Sequence, residues 1–131
     1  MSLLTWRNEF SVGVPSVDYE HQTLIALINR LYSELLEESP EMTVMKFLGE
    51  IYTKISAHFA LEEMLMREAR YGEYAAHKKD HEHLLDDIRD IMESYEKDHE
   101  FNEKALKESL DQWFGVHFRT FDSRLHDKLG H

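Results

Sequence analysis

A chain of 131 residues with no cysteine, 26 acidic residues and 15 basic ones has room for one domain built on one hydrophobic core. The lack of cysteine excludes disulfides, thiolate zinc sites and iron–sulfur clusters, leaving imidazole and carboxylate as the available metal ligands. Because the formal charge of -11 is spread along the chain, nucleic acid and anionic membrane surfaces, which need a basic footprint, are not expected partners.

Residues 1–17, which include Gly13 and Pro15, read as an irregular N-terminal arm with Trp6 and Phe10 packing it across the body of the domain. The first residues lack a basic region followed by an apolar core, and no apolar run approaches the ~20 residues of a membrane span. An unexported, cytoplasmic protein without membrane insertion is therefore expected. Four helices are predicted near 18–37, 41–69, 73–97 and 102–119, with a short terminal helix near 122–129. Ser39 and Pro40 offer a capping hydroxyl and a proline for a first helical turn, and Gly72 is the residue best able to leave a helix. The polar stretch from Glu96 to Glu100 makes the third connection. Short connections between long helices favour antiparallel neighbours, so the expected fold is all-α. It is an up-down-up-down antiparallel four-helix bundle over 18–119, with the arm before it and a terminal segment, 120–131, after it, all within a single domain.

Each helix carries an apolar seam at alternating three- and four-residue steps, the spacing of a stripe facing a bundle axis. His21, Leu24, Ile28, Leu31 and Leu35 form the first seam, and Ile51, Ile55, His58, Glu62 and Leu65 the second. The third contains His77, His81, Leu84, Ile88, Ile91 and Tyr95; the fourth contains Leu106, Leu110, Trp113 and His117. Residues four apart share a helix face, so His58 with Glu62 and His77 with His81 can each present two donor atoms to one point. A single histidine on an apolar face is more often a hydrogen-bonded core residue than a ligand. Several together are different, because unpartnered buried polar groups cost on the order of 1–3 kcal/mol each, and a metal centre accounts for all of them.

Asp122 lies five residues after His117, about 500° of α-helix, which places it off that face. It reads either as the N-cap of the terminal helix or, if a π-type turn or a break falls at Thr120 and Phe121, as an inward carboxylate. His83, His99, His126 and His131 read as ordinary polar residues, and Glu63 as rotated away from the seam that holds Glu62. Two octahedral ions need twelve coordination positions, of which five histidines and two bridging carboxylates fill nine. A bridging oxide or hydroxide fills two more, leaving one for a small exogenous ligand. Nitrogen-rich ligation with carboxylate bridges suits iron better than magnesium or calcium. The seam neighbours are apolar, with no lysine, arginine or serine to hold a polar substrate and no acid or nucleophile in position, so ligand binding rather than catalysis is expected.

The sequence resembles the hemerythrin family in its bacterial single-domain branch, over nearly the whole chain. The resemblance is carried by Val12-Gly13-Val14 and Asp18-Tyr19-Glu20-His21, then His58-Phe59-Ala60-Leu61-Glu62-Glu63, His77-Lys78-Lys79-Asp80-His81, and Trp113-Phe114-Gly115-Val116-His117 leading to Asp122. It implies two non-haem iron ions, bridged by oxide or hydroxide and by two carboxylates, that bind dioxygen reversibly for transport, storage or delivery, with an oxygen-consuming enzyme as a candidate partner. It also implies that His77, His81 and His117 hold one iron, that His21 and His58 hold the iron with the vacancy, and that Glu62 and Asp122 bridge. The helical pairs here read as longer than in the invertebrate oxygen carriers, and the pocket has its own aromatic set, including Trp113 and Phe114, with Phe114 a candidate for enlarging it. The alternatives are oxygen or redox sensing, and a ferritin-like di-iron oxidase or iron-handling protein. That last class uses paired Glu-x-x-His motifs, whereas this chain has only Glu96 with His99, in a polar turn.

Overall fold

The computed structural model describes residues 3–11, 15–37 and 43–125, apart from the side chains of Glu9 and Ser16. Four helices account for most of them: α1, Pro15–Leu36; α2, Val44–Glu68; α3, Tyr74–Asp98; and α4, Glu103–His117. Each packs on the next in chain order, forming an all-α four-helix bundle, and the described residues contain no strand. Ile28, Phe47, Ile51, Ile55, Leu84, Ile88, Leu106, Leu110 and Phe114 are fully buried along its axis. Ile28, Ile51, Ile55, Leu84, Ile88, Leu106 and Leu110 are positions the expected seams contain; Phe47 and Phe114 are not, and Trp113, placed on the fourth seam, is half-buried beside Phe114. Leu65 is a correction, since it is exposed while Met66 is buried. The buried stripe of α2 takes a four-residue step after Glu62 instead of three.

Several helix ends differ from expectation. Helix α1 begins at Pro15, inside the stretch read as irregular, which suits a residue whose fixed φ and missing N–H fit a first turn. Helix α2 is capped by Thr43, whose hydroxyl accepts from the Lys46 amide at 3.1 Å; Ser39 and Pro40 lie outside the described residues. Gly72 is not the residue that turns the chain out of α2. That is Arg70, at φ 53°, with its amide donating to the Arg67 carbonyl and the Tyr71 amide to that of Met66. Together these bonds form a Schellman closure around a residue that carries a Cβ in the left-handed region. Arg70→Gly is therefore expected to raise unfolding stability by about 0.5–1 kcal/mol, measurable by urea titration.

Leu3 and Leu4 of the arm are buried, and Asn29 holds it by accepting from the Leu4 amide at 2.9 Å and donating to the Leu4 carbonyl at 2.8 Å. Trp6 packs edge-on to the fully buried Phe10, as expected of both anchors. Phe10 ends a short 3-10 turn, Asn8–Phe10, and the arm passes so close to α4 that a Cβ on Gly115 would meet the Arg7 guanidinium at 3.3 Å and the Phe10 ring at 3.5 Å. After α4 the chain continues as a π-helical turn, Phe118–Asp122, and remains helical to residue 125. The proposed terminal helix thus begins without a break; residues 126–129 lie outside the described region.

Candidate metal centre

Alternating helix directions gather the histidines at one end of the bundle. His21 lies early in α1, His58 and Glu62 late in α2, His77 and His81 early in α3, and His117 at the end of α4. Antiparallel packing brings the start of an odd-numbered helix beside the end of an even-numbered one. Asp122 completes the set through the π turn, in which the Ser123 amide donates to the carbonyl of Phe118, five residues back. The wider turn restores Asp122 to the side of His117, and the Thr120 hydroxyl supports it by donating to the Val116 carbonyl at 2.6 Å. Because the helix runs through Asp122, that residue is not an N-cap; its carboxylate is buried and turned inward.

The donor atoms form two overlapping groups, Glu62 with His77, His81, His117 and Asp122, and Glu62 with His21 and His58, each drawn within 4.8 Å. Glu62 Oε1 lies 2.7 Å from His77 Nε2 and 3.0 Å from His81 Nε2. One oxygen of Asp122 lies 3.0 Å from His77 Nε2 and 2.8 Å from His117 Nε2; the other lies 3.1 Å from His21 Nε2. Asp122 therefore addresses both halves, one oxygen to each. Nitrogen and oxygen ligands at about 2.1 Å from an octahedral ion stand about 3.0 Å apart along its edges, so these separations fit a metal held among the three imidazoles and two carboxylates.

The electrostatics favour a cation in the same place. Burial and Asp122 both push the Glu62 carboxyl up, yet hydrogen bonds from His117, His77 and His81 bring it net well below its ordinary value. Asp122 behaves alike: burial pushes it up, but the His117 charge and hydrogen bonds from His117, His21 and His77 hold it well below. Two adjacent buried carboxylates thus remain anionic. Burial pushes His77 and His117 down, but Asp122 and Glu62 raise both above the ordinary imidazole value. His58 instead is lowered, by burial above all, and its neutral form is the one that ligates a metal.

A family model described as the hemerythrin HHE cation binding domain matches residues 12–129. The chain belongs to the hemerythrin family. It is 27% identical to a bacteriohemerythrin of Stenotrophomonas maltophilia over 98% of this chain and 83% of that protein. It is 29% identical to one of Aquifex aeolicus over 91% of this chain and 92% of that protein, and 26% identical to one of Clostridium acetobutylicum over 92% and 96%. No solved structure matches it significantly.

Within this hemerythrin fold, two carboxylates missed by the seam analysis back the cluster. Glu63, read as turned away, accepts from His81 Nδ1 at 2.9 Å, and Asp80 accepts from His117 Nδ1 at 2.5 Å. Seam position cannot reveal them, because each lies beside the inward stripe and reaches a ring on a neighbouring helix. Aromatic rings fix the imidazole planes: Phe118 stacks on His21 at 3.7 Å, Phe59 on His81 at 3.9 Å and Trp113 on His117 at 4.1 Å. His83 and His99 are exposed, as expected, whereas His126 and His131 fall outside the described residues. Glu96 is exposed too, so the Glu96-x-x-His99 pair does not face the bundle core.

The surroundings of His58 depart from the apolar reading. A groove of about 360 Å³ between α1 and α2 is lined by His58 together with Tyr19, Glu20, Thr23, Leu24, Leu27, Lys54 and Leu61. Lys54 and Glu20 lie off the seams yet reach its walls. A pocket of about 30 Å³ lies against His58 and Glu62, lined also by Glu20, Leu61 and Leu65. Phe114 does not line either space; fully buried, it packs on Phe118 and Trp113, so shortening it opens a core cavity. No described helix is long and apolar enough to cross a membrane.

Proposed function

We propose that the chain binds two non-haem iron ions and takes up dioxygen reversibly, for oxygen transport, storage or delivery, as a binding protein rather than an enzyme. The observation that carries this reading is the division of five imidazoles between two donor groups that share Glu62, with the two oxygens of Asp122 turned to opposite halves. His77, His81 and His117 would hold one ion, His21 and His58 the other, and Glu62 and Asp122 would bridge them. When bound, the iron pair supplies the electrons that dioxygen takes up and gives back.

The chain's own residues restrict what else can happen there. Phe59, Trp113 and Phe118 hold the imidazole rings in plane and keep bulk water from them. A space of about 30 Å³ lies against His58 and Glu62, enough for a water-sized or diatomic molecule beside these ligands. Among the described residues the buried carboxylates are Glu62 and Asp122, both engaged by histidines and held anionic, so neither is placed to protonate a leaving group. The test is to cycle the reduced, iron-loaded protein between argon and oxygen while following its visible absorption. A band that appears with oxygen and disappears on degassing is expected. Irreversible bleaching with stoichiometric oxidation of an added substrate would move the chain to the oxidase class.

A further inference from the structure

The two halves of the cluster are held differently. His81 and His117 each donate Nδ1 to a carboxylate outside the cluster, Glu63 and Asp80, and Asp80 is further tied by the Trp113 indole, which donates to its carbonyl at 3.2 Å. An imidazole backed in this way is a stronger donor and cannot swing, and loss of such backing typically costs about 10–100-fold in metal affinity. In that half His77 alone has a buried Nδ1 without a partner; in the other half neither imidazole is backed, since Nδ1 of His21 is buried without a partner and His58 has no hydrogen-bond or ion-pair partner among the described residues. His58 is also the half-buried member of the set, bordering both the groove between α1 and α2 and the small pocket shared with Glu62.

We propose that the two metal positions are unequal. The ion among His77, His81 and His117 is retained, while the ion at His21 and His58 enters and leaves through the α1/α2 groove, and Glu63 and Asp80 are the positioning residues that set the difference. This rests on the di-iron reading above. The consequence is an ordered assembly, with a one-ion form as its intermediate.

The experiment challenges reduced, iron-loaded protein with an excess of a ferrous chelator under argon and follows the chelator's colour. Release in two phases of one ion per chain, separated by about tenfold or more, is expected. Leu61→Trp, at a position 55% exposed, fills the groove and should slow the first phase alone. Glu63→Gln and Asp80→Asn should hasten the second phase by about 10–100-fold, and Glu63→Asp should restore part of it. Far-ultraviolet circular dichroism confirms that each variant is folded, and the wild-type phases stand without any variant. Release of both ions in one phase by the unsubstituted protein, or acceleration of the first phase alone by Glu63→Gln and Asp80→Asn, would overturn the proposal. A chain that takes up no iron pair overturns the di-iron reading and this proposal with it; a pair that leaves as a unit overturns this proposal alone.

Discussion

Alanine at Glu62 is expected to abolish the iron pair, and alanine at His58 to leave no more than one iron per chain, whereas His83→Ala and His99→Ala retain both. Glu62 belongs to both donor groups, so its loss removes a ligand from each ion, deprives His81 Nε2 of its carboxylate and leaves His77 Nε2 with Asp122 alone. Each buried imidazole deprived of its partner costs on the order of 1–3 kcal/mol, so Glu62→Ala should also be visibly less stable. His58 serves only the two-histidine group, which makes its loss milder. His83 is on the same helix as His81 but exposed, and His99 caps the exposed end of α3. Elemental analysis of the four purified variants, with the visible band as a second readout, measures the contrast. Loss of iron from His99→Ala with full iron in His58→Ala would refute the ligand assignment.

Stripping the metal should lower the unfolding temperature by on the order of 10 °C, and it should make stability depend on pH. The first effect is linkage: a ligand bound by the folded chain and not by the unfolded one adds several kcal/mol once it is well above its dissociation constant. The second follows from what must replace the metal charge. In the metal-free chain, protonated His77 and His117 balance Glu62 and Asp122. The histidines are raised in the fold, so their contribution is complete below their ordinary value of 6.5 and is lost as pH climbs through the higher folded values. The carboxylates are depressed, so theirs is complete above the ordinary values of 4.5 and 3.8 and is lost as pH falls through the lower folded ones. Metal-free protein is therefore expected to be most stable in mildly acidic solution and to weaken above neutrality, while iron-loaded protein does not weaken there. Thermal melts across pH, with and without a chelator, provide the measurement. Superimposable curves would show that the cluster folds equally well without metal.

The four helices, the inward direction of His21, His58, Glu62, His77, His81 and His117, and the resemblance to hemerythrins were all legible in the sequence. Helical periodicity is local, and a polar residue on an apolar stripe must face the core whatever its partners are. The direction in which such a residue points does not depend on which helix lies opposite. The sequence also excludes thiolate ligands, and at Asp122 it leaves open a cap, an inward carboxylate on a π turn or helix break, or both together. What it could not do was choose, since the π turn at Phe118–Asp122 depends on whether burying the carboxylate among His21, His77 and His117 offsets a poorer backbone geometry.

Tertiary structure alone decided everything carried by reach across helices. Glu63 and Asp80 are next to seam residues and off the stripe, and only the packing of α2 on α3 and of α3 on α4 brings His81 and His117 within their range. The groove at His58 arises in the same way, from the gap between two helices, and so Lys54 and Glu20 line it although neither lies on a seam. Arg70 in place of Gly72 at the end of α2 has a related cause. The closing bonds to Met66 and Arg67 favour one register of the turn, and the residue occupying the left-handed position is whichever one that register puts there. Sequence periodicity determines which way a side chain points along its own helix; what it meets there depends on the neighbouring helix, whose position is fixed by the packing of the whole core.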